Sequence, residues 1–335
     1  RPSTGPVVRL QQLLAMSQEG DAGLHGVPSK RQERRSQEVW KHNLEEEVER
    51  MRDIAETYSY IAMDTQFPGI VVRPCGPFSD YSDYNYQTLK CNVDLTRVIQ
   101  IGFTFSDAKG NRPKGISTWR FNFNFDVHAD VYSQESLEGL CSTRGLDLHK
   151  HYERGIDTQE FGEQLTSSGL VLNEDVRWIT YCALNVFGER TPADAPGRPG
   201  EPPWVTFCGL YDFGHMLQLL TSQPLPDEVN AFSDSLDLFF PSRCDVAKHL
   251  HRLPQQNGDR DVQKRPFFRN AHHILESFFR LPDAVRRTAF EKDAEEEEAE
   301  EIELPPPPVP DKGGRGHQGK HRDGERRHKA GKAKH

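Results

Sequence analysis

Apolar positions along this chain change their period several times, and each change marks an element. From Ser36, a residue suited to capping, Val39/Trp40, Leu44, Val48, Met51 and Ala55 recur at three- and four-residue steps, predicting a helix to about Thr57. Tyr60 to Met63 is a short apolar run that predicts a buried strand, with Asp64 at its end and Pro68-Gly69 turning the chain. Residues 73–90 are rich in Pro, Gly and Tyr and read as a connection; a helix-like NVDLTRV then leads into a strand, VIQIGFTF, at 98–105. After the turn-rich DAKGNRPKG, the run TWRFNFNF alternates strictly, so Trp119, Phe121, Phe123 and Phe125 share one buried face. Helices are predicted over Gln134–Arg144, ended by Gly145, and over Asp157–Ser167, where Asp157 and Glu160 have capping-box spacing.

The next segment nearly repeats itself. WITYCALNVFG (Trp178–Gly188) returns 26 residues later as WVTFCGLYDFG (Trp204–Gly214), with the Pro/Gly-rich ERTPADAPGRPGEPP between them. The second copy carries Asp212 where the first has Val186. A helix from Asp212 to Leu220 would aim that carboxylate from its first turn into a cleft. The first copy reads as a degenerate duplication or a gene-model error lying outside the core, with 182–203 as an insertion. Pro226, Asp227 and Glu228 suit the start of a helix to about Phe240. AHHILESFFRL gives a further helical pattern, and LPDAVRRTAF closes the fold near 290.

Composition sets the limits of that folded part. Hydrophobic residues make up 35% of the 335-residue chain and charged residues 28%, which predicts a folded middle, about 36–290, with solvated ends. Residues 1–35 mix Gly, Pro, Ser, Gln and basic residues without a sustained period and read as a mobile, disordered leader. From 291 the chain runs through acidic AEEEEAEEIE, then PPPPVP, then a basic Gly/His/Lys/Arg tail suited to touching RNA or serving as a nuclear address. No apolar run approaches the roughly 18 residues of a membrane span, and no secretory pattern precedes the domain. Cys75, Cys91, Cys141, Cys182, Cys208 and Cys244 have no metal-finger spacing, which suits reduced thiols in cytosol or nucleus. The net charge of −9 argues against a protein that coats nucleic acid, though not against one with a local groove for it.

Two carboxylates stand out: Asp64 at a strand end and Asp212 opening a helix. Together with EVW..NLEEE, YIAMDTQFPG, YNYQTLKCNVD...VIQIGFTF, STWRFNFNF, YDFG and LFFP...DV, they make the chain resemble the CAF-type poly(A) deadenylases from about Glu38 to Asp245. These are the exonuclease subunits of the Ccr–Not messenger-RNA decay complex, in the DEDD exonuclease group. The resemblance implies an α/β ribonuclease H-like fold, a mixed sheet flanked by helices. It also implies 3′-to-5′ shortening of poly(A), and as partners a Not scaffold subunit and a second deadenylase, in cytoplasm and nucleus. Its chemistry would be phosphodiester hydrolysis by two Mg²⁺ (or Mn²⁺) ions that clamp the attacking and leaving oxygens, roughly 3.5–4 Å apart.

By that resemblance Asp64 bridges both ions and Asp212 holds the leaving-group-side ion. The nucleophile-side ion would be held by a Glu at position 66 and by a last Asp in a His-Gln-Ala-Gly-Ser-Asp motif. Here position 66 is Gln, and that downstream motif is missing. Counting back from Phe278-Phe279 puts Asn270 at the last Asp and Arg265 at the His that serves as base; placing QQNGDRD (Gln255–Asp261) on the motif instead leaves Asp259 or Asp261 as substitute acids. Gln66 and Asn270 keep the size and one oxygen but remove two negative charges, and an Arg cannot take a proton. The expected site is therefore Asp64, Gln66, Asp212 and Asn270, with one ion weakened and hydrolysis impaired. Tyr81, Tyr84 and Tyr86 are candidates for stacking adenine bases, although a Tyr-rich segment more often packs. His272-His273 reads as a surface or core pair before a metal site.

Overall fold

The computed structural model describes residues 35–79, 81–181, 209–246, 249 and 270–290. The leader, the insertion and the start of the second copy (182–208), Asp259, Asp261, Arg265 and the tail from 291 lie outside the described residues.

Among the described residues six strands form one mixed sheet in the order β1-β4-β3-β2-β5-β6. They are β1 (Ser36–Val39), β2 (Tyr60–Gln66), β3 (Gln100–Ser106), β4 (Thr118–Asn122), β5 (Arg177–Thr180) and β6 (Ser242–Asp245). β2 runs antiparallel to β3 and parallel to β5, so the strand carrying Asp64 is central. Its side chains alternate between two cores, as the two-residue period of a strand requires. Ile61 and Met63 enter the larger core with Phe103, Phe105, Trp119 and Phe121. Helices α1 (Leu44–Ala55), α2 (Tyr81–Leu95), α5 (Thr158–Ser167), α6 (Gly209–Thr221) and α7 (Val229–Phe239) pack further residues into that core. Tyr60 and Ala62 enter a smaller core on the other face, with Ile274, Leu275 and Phe278 of α8 (Ala271–Arg280). A third cluster joins Phe125 to Leu137 of α3 (Gln134–Arg144) and Leu148 of α4 (Leu148–Arg154); α9 (Asp283–Thr288) follows α8.

Local signals placed several boundaries. Gly145 ends α3 in the left-handed conformation at φ 67°, and the Asp157 side chain caps α5 by accepting from the N–H groups of Gln159 and Glu160. The row Trp119, Phe121, Phe123 and Phe125 is fully buried, as its alternation predicts.

Three expectations are corrected. Ser36 does not cap a helix: Ser36–Val39 is a strand paired parallel to β4, and a 3-10 turn at Lys41–Asn43 separates it from α1. The helical period begins only at Leu44, and the Trp40 N–H donates to Asn43 Oδ1 at 2.8 Å across the break. The 73–90 connection is helical from Tyr81. Pro and Gly stop at Pro77, and beyond it Tyr86, Leu89 and Val93 recur at helical steps and are buried. Lastly, the described part of the first copy, Trp178–Tyr181, is not outside the core. Trp178, Ile179 and Thr180 lie in β5 between β2 and β6 with no exposure, whereas Asp212 of the second copy lies in α6.

Candidate active site

Asp64 lies on the same face of β2 as Ala62, two residues on, and therefore faces α8. Its Oδ1 accepts from the N–H of Ala271, the first residue of α8, at 2.8 Å, and its Oδ2 accepts from Gln66 Nε2 at 2.9 Å. The helix N-terminus supplies an otherwise unsatisfied donor, which suits a carboxylate. Gly102 stands opposite Asp64 in β3, and a Cβ there would lie 2.4 Å from Asp64 Oδ1. The glycine is what gives the carboxylate its room.

Asp212 arrives from the other face. Pairing of β5 with β2 ends at Ala62, so the edge of β2 beyond it is open for another partner. Asp212, in the first turn of α6, occupies that position: its Oδ1 accepts from the Thr65 N–H at 2.8 Å and from Thr65 Oγ1 at 2.5 Å. Two carboxylates from opposite faces of the sheet thus meet at one end of its central strand.

Burial raises the pKa of both. For Asp64 the nearby charge of Arg144, the Ala271 N–H, the Gln66 amide and Arg120 oppose that rise. Asp212 is pushed well above the ordinary carboxylate range by burial, with the charges of Asp64 and Asp245 acting the same way and the Thr65 bonds acting against them. Each charge is costly here without a cation.

The other expected residues are placed as follows. Gln66 is buried beside Asp64. Asn270 is the N-cap of α8, with Oδ1 accepting from the His273 N–H at 3.3 Å, next to the Ala271 N–H that holds Asp64. Tyr86 packs: its ring lies 5.3 Å from that of Phe232 and its hydroxyl donates to the Pro226 carbonyl. Tyr84 sets its ring edge-on to Phe78. His272 sits with Arg112 and Glu276, and burial together with the Arg112 charge lowers its pKa to about 4. Sequence reasoning missed Thr65, Gly102 and the Ala271 N–H. Asp245, part of the LFFP...DV pattern, is close enough to raise the Asp212 pKa further. Thr65 was legible as the residue after Asp64 on the opposite strand face; the Ala271 N–H, a backbone group, had no signal.

Among the described residues no group of three or more His, Cys, Asp or Glu side chains is gathered to hold a metal ion. Asp64 and Asp212 offer hard oxygens suited to one divalent cation, but the set does not fit two. Gln66 turns an N–H donor, not an oxygen, toward Asp64, and Asn270 uses its oxygen as a helix cap.

Comparison with known proteins finds relatives of the chain. The family described as CAF1 family ribonuclease matches residues 39–167. A protein of Arabidopsis thaliana named "Probable CCR4-associated factor 1 homolog 7" is 41% identical over 222 residues, covering 64% of this chain and 70% of that protein. The poly(A) ribonuclease pop2 of Schizosaccharomyces pombe is 39% identical over 227 residues, covering 67% of this chain and 59% of its own length. Among solved structures, S. pombe Pop2p in its Mg²⁺- and Mn²⁺-bound form superposes with a TM-score of 0.60 at 34% identity, over 76% of this chain and 94% of that one. The yeast NOT1 MIF4G domain co-crystallised with CAF1 contains a chain with a TM-score of 0.52 at 26% identity, over 76% of this chain and 94% of that one.

Proposed function

The chain belongs to the CAF1 family of ribonucleases, and from that membership we propose that it is a 3′-to-5′ exoribonuclease of poly(A) tails, working as a subunit of a Ccr4–Not deadenylase, whose hydrolysis is slowed by the loss of two site charges. The observation that carries this reading is the Gln66 Nε2–Asp64 Oδ2 hydrogen bond of 2.9 Å, where a family member places a second carboxylate. Four carboxylates balance two dications; two carboxylates leave a large positive excess. One Mg²⁺ or Mn²⁺ held by Asp64 and Asp212 would supply charge for the leaving oxygen. The second, nucleophile-side ion has no adequate anchor, and neither carboxamide can accept the proton of an attacking water. The expected loss is orders of magnitude in rate rather than of RNA binding.

Partnership with a Not scaffold follows from the likeness to the chain that was crystallised with NOT1. A second deadenylase as partner, and residence in cytoplasm and nucleus, belong to the same reading. One observation favours a second possibility, a non-catalytic subunit that keeps the fold for docking: both Asp64 oxygens are already taken by N–H donors.

The test is trimming of a 5′-labelled RNA with an A-tail by the full chain, with Mg²⁺ or Mn²⁺, beside Asp64→Ala. Slow stepwise shortening that disappears in Asp64→Ala is expected. The double change Gln66→Glu and Asn270→Asp should then raise the rate at least about a hundredfold, in line with the size of single electrostatic contributions to catalysis. Folded wild-type protein that never shortens the RNA would leave the docking subunit as the answer.

A further inference from the structure

Beyond Gln66 the polar character of this sheet face continues through β3, β4 and β1. Gln100 stands directly opposite Gln66, and Asn122 directly opposite Gln100. Their side chains form a directed chain of hydrogen bonds. Gln100 Nε2 donates to Asn122 Oδ1 at 2.7 Å, Asn122 Nδ2 donates to Glu38 Oε2 at 2.9 Å, and Arg120 donates to Glu38 Oε1 at 2.9 Å.

The direction is forced from the Glu38 end. An ionised carboxylate only accepts, so Asn122 must turn its NH₂ toward it. The Val39 carbonyl, which also accepts from Asn122 Nδ2 at 3.1 Å, fixes the same orientation of an amide that is 1% exposed. Asn122 then has only its oxygen to offer Gln100, so Gln100 must donate to it. What remains is Gln100 Oε1, a half-buried acceptor that takes no hydrogen bond among the described residues and stands one strand from β2. Adjacent strands lie about 4.8 Å apart, and facing side chains have Cβ atoms about 4.5–5.5 Å apart.

An acceptor in that position selects for a donor. Phosphate oxygens have none to give, and the base lies a full sugar away from a phosphate held at Asp64. The ribose hydroxyls beside such a phosphate are donors. Resting on the exoribonuclease reading above, we propose that Gln100 is a specificity-determining residue whose Oε1 accepts a hydrogen bond from a ribose hydroxyl of the 3′-terminal nucleotide. Glu38 and Asn122 are positioning residues that hold the Gln100 amide nitrogen and leave its oxygen to accept.

The experiment measures binding of the full chain to labelled oligoadenylates by fluorescence polarisation in magnesium buffer, with probe integrity checked on a gel. Three probes end in adenosine, 2′-deoxyadenosine or 3′-deoxyadenosine, so the two hydroxyls are read separately. Wild type should prefer the ribose end over at least one deoxy end by about fivefold to tenfold, the size of one net hydrogen bond. Gln100→Met, near-isosteric and without an acceptor, should shrink that preference to within about twofold while leaving the affinity for that deoxy end unchanged. Glu38→Gln removes the carboxylate, one of the acceptors that orient Asn122, while the Val39 carbonyl remains; it should shrink the preference partially, and it reads the same preference if Gln100→Met does not fold. Equal binding of all three probes by wild type, or an undiminished preference in Gln100→Met, overturns the proposal and leaves the exoribonuclease reading standing. Folded wild type that binds none of the probes overturns both.

Discussion

Asp212 shows how a single residue trades stability for position. Its carboxylate is buried, its pKa is raised, and both Thr65 donors reach the same oxygen, Oδ1. Asp212→Asn would keep that oxygen and remove the charge. A carboxyl group whose folded pKa lies above its unfolded value contributes stability that is present below the unfolded pKa and is lost as pH rises through the folded one. The asparagine variant should therefore melt higher than wild type at pH 7, by about 2–4 °C, with the gap shrinking as pH falls toward about 4. Thermal melts across that range check the sign; a variant that melts lower at pH 7 would mean that the carboxylate is already compensated. Its RNA-trimming activity should fall at the same time, because the charge that destabilises the fold is the one that would hold a cation.

At the level of elements, the sequence was most legible where structure is local. The α3 boundaries, the Asp157 cap of α5 and the buried alternation of β4 were readable because caps and periods depend on neighbours within a few residues. β1 was missed because its identity comes from a partner remote in sequence, whereas the local helical steps of α2 at Tyr86, Leu89 and Val93 were masked by the Pro/Gly-rich start of the 73–90 segment. Val39 is apolar in either state, and only pairing with Phe121 makes it a strand residue. The contact that presents Asp212 is likewise remote. α5 and α6 touch at Gly162, where a Cβ would lie 2.2 Å from the Leu219 carbonyl oxygen. Gly162→Ala must push the helices apart and should cost about 1–3 kcal/mol in urea unfolding. Loss of less than a few tenths would show that the helices can slide without consequence.

At the scale of the molecule, the sheet of the described residues has a larger core on one face and a smaller one on the other, beside a third cluster around Phe125, and the candidate site lies at the seam of the first two. The smaller core, built by α8 on Tyr60, Ala62 and Ile179, is what carries the Ala271 N–H to Asp64. Phe278, 1% exposed, packs there against the rings of Tyr60, Phe279 and Phe290. Phe278→Ala should cost about 3–5 kcal/mol. It should also speed amide exchange at Ala271 before global unfolding, a readout that a uniform loss of stability would not give. The sequence by itself determined the alternating strand, the helix caps, the positions of Asp64 and Asp212, and the neutral residue at Gln66, since each is stated in the residues themselves. Tertiary structure alone decided which copy of the repeat supplies β5 and that Asp212 reaches β2 through Thr65. It also decided that Asp64 is met by a backbone donor 207 positions away, and that Glu38 orients Gln100 through Asn122. Those outcomes depend on strand order and register, which no local pattern encodes, because a one-residue slip would turn every one of these side chains to the opposite face.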